Sequence, residues 1–329
     1  MNQSIKEDQI IYSAKSAEVI NMQPRVAILL CTYNGQEFLQ EQLDSFVVQT
    51  HANWVLYVSD DGSTDNTLQI IENFAKRVGE ERVILFKGPR KGFAANFLSL
   101  IHHDEIKADY FSFSDQDDVW LPEKLEVSLN WLKQQPENIP ALYCSRTILI
   151  DAKGRAFGQS DLFLKPPSFA NALVQSIGGG NTMILNRAAR NLVSAHSPED
   201  GIVSHDWWVY IVVSGNEGAI KYDPKSYVLY RQHGDNLVGM NGTWMARIRR
   251  MILLFQGRFR SWNEKNITLI LSNIGFLSRA SLYTFDHFCE MRSGVSSISR
   301  INLLKNSSIY RQTLLGNVGL IVAVWFNKI

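Results

Sequence analysis

The chain has 329 residues, 45% of them hydrophobic and 20% charged, a balance that excludes a disordered or fibrous protein. Three cysteines, Cys31, Cys144 and Cys289, lie far apart without a CxxC spacing, so the sequence offers neither a disulfide framework nor a zinc site and fits a reducing compartment. The net charge of +1 conceals an asymmetry: residues 240–329 hold twelve Lys and Arg against three Asp and Glu, which leaves the first 239 residues at −8.

In chain order, residues 1–24 read as a polar tail without the apolar stretch of a signal peptide, and a cytoplasmic protein is expected. "VAILLCTY" (26–33) is a continuous apolar run typical of a strand buried on both faces, and Asn34-Gly35 turns it into a helix carrying Leu39, Leu43 and Phe46. "WVLYVS" (54–59) is a second strand that breaks at "DDGSTDNT" and leads into a helix with Ile71 and Phe74. "RVILFK" (82–87) is a third, followed by "GPRKGFAANF" and a helix to about residue 102. The fourth strand, 110–114, ends in "SDQDDVW", and Pro122 then opens a helix with Leu125, Leu129 and Leu132 on one face. Further on, 141–151 reads as a strand, 158–170 as an irregular loop, 176–186 as three glycines followed by a strand, 204–215 as a helix, and 227–239 as a strand running into a glycine-bounded loop. Strands alternating with helices predict an α/β fold with a mostly parallel sheet, whose ligands bind at the carboxyl ends of the strands.

From about residue 241 the pattern changes. Trp244, Ile248, Met251, Ile252 and Phe255 recur at helical spacing among Arg247, Arg249, Arg250, Arg258 and Arg260, which reads as a basic amphipathic helix. The uncharged run 312–326 has fifteen residues, short of the roughly 20 that cross a bilayer, and reads as a buried or an interfacial helix.

Three carboxylates, Asp115, Asp117 and Asp118, stand within four residues at the exit of a buried strand. Like charges so close need a cation or strong donors, and oxygen ligands select Mg²⁺ or Mn²⁺, ions commonly shared with substrate phosphates. The plainer alternative is that they cap the helix near Pro122. In "SDDGSTDNT" (59–67), Asp60 or Asp61 is suited to accept from a base N–H or a ribose hydroxyl, although such strings are also ordinary turns.

Taken together, "VAILLCTYNGQEFLQEQLDSFVVQTHANWVLYVSDDGSTDNT" followed by "FSFSDQDDVW" resembles the nucleotide-sugar-binding half of a family 2 glycosyltransferase with the GT-A fold, over about residues 25–240. The resemblance implies a catalytic region at 25–240 and a helical C-terminal region at 241–329. It places Thr32, Tyr33, Asp60 and Asp61 on the nucleotide, and Lys91 and Asn96 on base, ribose or phosphates. It makes Asp117 the metal ligand and Asp115 its partner facing ribose or metal, with Mg²⁺ or Mn²⁺ as the cofactor. "SHDWWVY" matches the segment that carries the general base of inverting members, which selects Asp206, with His205 and Trp207 shaping the acceptor pocket. In "YRQHG", His233 would complete the metal site and Arg231 would pair with phosphate oxygens. Gly178, Gly179, Gly180 and Asn181 would let backbone approach the sugar or acceptor, and Trp120 would either stack on a sugar or sit in the core.

The motifs are similar to those of bacterial rhamnosyltransferases of surface polysaccharide synthesis. The expected donor is therefore dTDP-rhamnose or, failing that, a UDP-hexose, and the acceptor a glycan or lipid-linked glycan at the inner face of the plasma membrane. The Q-x-x-R-W signature of processive synthases is absent, which implies addition of one sugar or a few. The basic C-terminal region fits peripheral binding to an anionic membrane, a helical subdomain packed on the core, or a homodimer contact. A nucleic-acid partner is disfavoured by the acidic catalytic half. A dinucleotide oxidoreductase would open on G-x-G-x-x-G, where this chain has "CTYNGQEF". A non-catalytic scaffold with the same fold is the remaining alternative.

Overall fold

The computed structural model describes residues 23–198, 201–232, 257–293 and 296–329. In order along the chain, the strands are β1 (Val26–Thr32), β2 (Trp54–Asp60), β3 (Val83–Lys87), β4 (Tyr110–Ser114), β5 (Val119–Trp120), β6 (Ala141–Ile150), β7 (Ala156–Gln159), β8 (Ile184–Asn186) and β9 (Ala219–Arg231). The helices are α1 (Leu39–Val47), α2 (Thr67–Val78), α3 (Phe93–His102), α4 (Lys124–Leu132), α5 (Phe169–Ala172), α6 (Arg187–His196), α7 (His205–Gly215), α8 (Arg258–Ser272), α9 (Arg279–Ser293), α10 (Ser297–Asn306) and α11 (Leu314–Trp325).

The strands form one sheet in the order β3-β2-β1-β4-β8-β6-β9-β5, with β7 paired to β6. Pairs β1 with β2, β1 with β4, and β2 with β3 are parallel, and β8 enters antiparallel between β4 and β6. Every residue of β1 and β2 is buried, because helices cover both faces of the sheet. Side chains of β1 alternate between two cores: Ala27, Leu29 and Cys31 join Phe97, Phe113 and Trp208, whereas Val26, Ile28 and Leu30 join Leu43, Phe46, Phe74 and Leu129. The register sets Thr32 beside Asp60, Asp60 beside Lys87, and Leu30 beside Ser114, so the polar ends of four strands reach one edge together.

Helix α7 is apolar all round, and Trp208 to Val213 are completely buried, so it can only be an interior helix. Its far side is covered by the C-terminal helices: Ile270, Phe276, Phe285, Met291, Leu320 and Val324 belong to the same hydrophobic core as Trp208 and Val213. Trp207 meets Trp262 edge-on at 6.2 Å, and Trp208 meets Phe276 at 6.0 Å. The described part of the C-terminal region is therefore packed on the sheet domain. Of the basic helix expected from Trp244 to Arg260, residues up to 256 lie outside the described residues and Arg258, Phe259 and Arg260 form the first turn of α8; among the described residues no helix is long and apolar enough to cross a membrane.

Candidate active site

The first wall is built where β1 and β2 end. Thr32 Oγ1 donates to Asp60 Oδ1 at 3.0 Å, and Asp60 also accepts from Gly62 N (3.1 Å), Ser63 N (2.9 Å) and Ser63 Oγ (2.5 Å). Gly62 has φ of +100°, which lets the loop curl back over the carboxylate. Both oxygens of buried Asp60 thus accept hydrogen bonds from Thr32 and from its own loop, which fixes the carboxylate where β1 and β2 end. Asp61 is more open and accepts from the backbone N–H groups of Arg90 (2.5 Å) and Gly92 (2.9 Å), which ties this loop to the one carrying exposed Lys91. Asn96 is not brought to the site. It is buried, donating to Ser59 O at 2.9 Å and accepting from Ser59 Oγ at 2.6 Å, so its amide pins α3 to β2.

The second wall is the acidic loop after β4. Gln116 clamps it to the end of β1: its Oε1 accepts from Tyr33 N at 2.8 Å and its Nε2 donates to Tyr33 O at 3.0 Å, leaving the Tyr33 ring exposed. Asp115 and Asp117 remain partly open, whereas Asp118 is completely buried. Asn181 Nδ2 donates to Asp118 Oδ2 at 2.5 Å, and Arg231 N donates to Asp118 Oδ1 at 3.1 Å. Burial pushes the Asp118 carboxyl well above the usual range, with the charges of Asp117 and Asp115 adding to it.

Arg231 does not take the phosphate-facing place the sequence suggested. Its side chain is fully buried, with Nε donating to Asp117 O at 2.9 Å, Nη1 to Asp151 O and Ala152 O at 3.3 and 3.2 Å, and Nη2 to Glu41 at 2.6 Å. A guanidinium aimed at these oxygens braces the acidic loop from behind. Trp120 likewise resolves to the core alternative: it is buried, edge-on to Phe46 at 4.7 Å, with Lys124 Nζ 3.4 Å over its ring.

The third wall is the start of α7. Ser204 is its N-cap residue, and Asp206 lies in its first turn, partly exposed, with Oδ1 accepting from Trp207 N at 2.7 Å. Asp115 is pushed up to about 8 by burial first, then by Asp117 and then by Asp206, so the acidic loop and the α7 carboxylate are within electrostatic reach of each other. Trp207 points away into the C-terminal helices and donates Nε1 to Ala172 O at 2.6 Å; it is a packing residue.

His205 is buried, stacked on Phe97 at 3.9 Å and edge-on to Phe113 at 4.9 Å, and neither ring nitrogen meets a hydrogen-bond partner among the described residues. Burial pulls its pKa down to about 4. The three-glycine stretch acquires a reason here: a Cβ on Gly180 would overlap the His205 ring, and one on exposed Gly179 would press on the Asn181 amide. Gly180 and Asn181 are themselves buried, whereas Gly178 is partly exposed and Gly179 exposed.

Sequence reasoning gave no role to Gln116, Ser63 or Glu41, and counted Asp118 without assigning it. The signal for Asp118 was its place directly after D-x-D; Glu41 and Arg231 lie 190 residues apart and could be joined only by the fold. His233 lies outside the described residues, and among those described no cluster of three His, Cys, Asp or Glu forms a complete metal site. The donor set nevertheless suits a divalent ion that takes its remaining ligands from a substrate. Asp115 and Asp117 supply hard oxygens, and a carboxylate crowded by other carboxylates as Asp115 is by Asp117 and Asp206 is one that a bound cation restores to its charged form.

The model of the family described as "Glycosyl transferase family 2" matches residues 27–176. The dTDP-rhamnosyl transferase RfbG of Shigella flexneri is 30% identical over 254 residues, which are 73% of this chain and 83% of that protein. The chain belongs to glycosyl transferase family 2. An uncharacterised glycosyltransferase of Haemophilus influenzae is 25% identical over 293 residues, 84% of either chain. Among solved structures, residues 1–349 of TarS from S. aureus in complex with UDP superpose with a TM-score of 0.52 at 17% identity, covering 83% of this chain and 75% of that one. Likeness at that identity speaks for the fold, which is GT-A. This family 2 chain is accordingly a glycosyltransferase, and the walls described above stand at the strand ends where an α/β sheet binds its ligands.

Proposed function

We propose that the protein transfers rhamnose from dTDP-rhamnose, with inversion, to a hydroxyl of a glycan or lipid-linked glycan during bacterial surface polysaccharide synthesis, working at the cytoplasmic face of the membrane. The observation that supports this reading is that Asp115, in the same loop as Asp117, lies within electrostatic reach of Asp206 in the first turn of α7. The choice of donor follows the likeness to RfbG, a dTDP-rhamnosyl transferase.

In this reading the exposed Tyr33 ring stacks on the thymine, Asp61 and Lys91 meet ribose or phosphate, and Asp115 turns to the ribose or the metal. Asp117, with Asp115 and His233, would hold Mg²⁺ or Mn²⁺, whose contribution when bound is to neutralise charge on the departing diphosphate. The acceptor hydroxyl approaches the anomeric carbon opposite the diphosphate. Asp206 takes its proton as the new C–O bond forms, and the old C–O bond breaks with its electron pair leaving on dTDP. Buried Asp60, Asp118, Arg231 and Asn181 hold these groups in place without touching substrate.

Calorimetric titration of the full chain with dTDP and with UDP, with and without Mn²⁺, tests the donor half. Metal-dependent binding that favours dTDP is expected. Preference for UDP would replace the donor with a UDP-hexose, and no binding of either would favour the non-catalytic scaffold.

A further inference from the structure

Helix α11 carries no ionisable residue and a single polar side chain, Asn317, whose amide is turned back onto the carbonyls of Arg311 and Thr313, and among the described residues only one side of it is used by the fold. Leu320, Ala323 and Val324 are buried in the main core. On the opposite side, Leu314 (85% exposed), Leu315 (66%), Val318 (56%), Ile321 (49%) and Trp325 (46%) stand in water. Positions 314, 318, 321 and 325 fall on one helical stripe, so this is a continuous face and not a scatter of single residues. Ile298 on α10, also exposed, is near its end, where Ser297 Oγ donates to Trp325 O at 2.9 Å. A contiguous apolar face of this kind on a soluble fold marks a docking surface.

The charge around it selects the occupant. After Glu290 the sequence contains five Lys and Arg, Arg292, Arg300, Lys305, Arg311 and Lys328, and no Asp or Glu. Of these cations Lys305 is exposed and Arg311 and Lys328 are partly exposed, and half-exposed Arg260 donates Nη1 to Asn327 O at 3.3 Å, whereas Arg300 (Nε to Val324 O at 3.0 Å) and Arg292 (Nε to Ile329 O at 3.0 Å) are largely buried and hold the C-terminal end of α11 from within. The carboxylate among them is Glu264, paired with Arg260 at 2.9 Å and Arg292 at 3.5 Å. An apolar stripe with a surplus of cations at its end matches the layered chemistry of an anionic bilayer, with acyl chains beneath phosphate head groups. A helix of 12 residues is about 18 Å long, too short to span, and therefore lies in the interface plane.

We propose that the Leu314, Val318, Ile321 and Trp325 face of α11 seats in the interfacial layer of an anionic phospholipid membrane. The proposal rests on α11 and its neighbouring charges alone. It adds to the transferase reading by giving the enzyme a fixed approach to a lipid-linked acceptor.

The test is co-sedimentation of the full chain with phosphatidylcholine vesicles, with and without phosphatidylglycerol, in the absence of donor and acceptor. Its failure would therefore leave the transferase reading standing. The wild type is expected to bind only the phosphatidylglycerol vesicles, with affinity falling as salt rises. The double variant V318D/I321D should bind at least about tenfold more weakly at an unchanged melting temperature. If that variant is unstable, L314S/L315S in the exposed first turn reads the same face. Equal binding by a well-folded variant and the wild type would overturn the proposal. So would a wild-type dimer that ignores vesicles and dissociates in the variant, because the face would then belong to a second copy of the chain.

Discussion

Arg231 Nε donates to the backbone carbonyl of Asp117 at 2.9 Å, while the Arg231 backbone N–H donates to the carboxylate of Asp118 at 3.1 Å. The last residue of β9 thus grips the acidic loop with both main chain and side chain. This contact joins two parts of the site that are 114 residues apart in sequence.

Replacing Arg231 by Met would leave the carbonyls of Asp117, Asp151 and Ala152 without their donor in a buried place. A loss of roughly 3–5 kcal/mol is expected, measured by urea unfolding. Arg231→Lys should recover little, because one ammonium cannot reach oxygens spread around a planar fork. A loss below about 1 kcal/mol for Arg231→Met would show that the brace is dispensable.

His205 gives a pH signature. Burial holds its pKa at about 4 in the folded protein, against roughly 6.5 for an ordinary imidazole. Between these values the unfolded chain binds a proton that the folded chain refuses, so stability falls as pH drops from about 6.5 towards 4 and the imidazole has no such effect above that window. The comparison is with His205→Phe, whose ring suits the cluster of Phe93, Phe97 and Phe113 and does not titrate. Unfolding free energies of the two proteins should diverge with acid by up to about 3 kcal/mol, and parallel curves would contradict the buried neutral imidazole.

Gly180 and His205 compete for the same space, so Gly180→Ala should displace the ring that precedes Asp206 at the start of α7. A misplacement on the order of 1 Å at a general base costs roughly 10- to 100-fold in rate. We expect kcat to fall in that range while calorimetric affinity for dTDP stays within about twofold, since Gly180 is not on the nucleotide wall. An affinity loss equal to the rate loss would place Gly180 with the donor instead.

The parts legible in the sequence were those whose burial is uniform or strictly periodic. Strands β1 and β2 read directly because both faces are covered. The start of β9 did not, because Pro224 and the register shifts opposite Ser145 and Arg146 break any period-two pattern. Strand β7 is exposed throughout and β5 has two residues, so neither leaves a hydrophobic trace, and α6 buries only Ala189, Arg190 and Val193.

At the site, the types of residue were readable but their division of labour was not. Asp60 looks as available as Asp61 until Ser63, Gly62 and Thr32 are seen to occupy it, and Asp118 looks like Asp117 until Asn181 and Arg231 close around it. Those partners are set by tertiary contact. Arg231 and Asn96 drew functional readings for the same reason: a cation or an amide beside a motif gives no sign of which backbone it already serves.

In the proposed function Asp117 serves the donor and Asp206 serves the proton. Mn²⁺-dependent dTDP binding and the rate of sugar transfer, measured for Asp117→Ala and Asp206→Asn in parallel, separate the two roles. Asp117→Ala is expected to lose the metal-dependent binding. Asp206→Asn should bind dTDP as the wild type does while transfer falls by about 100-fold or more. An Asp206→Asn enzyme that kept most of its transfer rate, or an Asp117→Ala protein that still bound dTDP in a metal-dependent way, would contradict that division of roles.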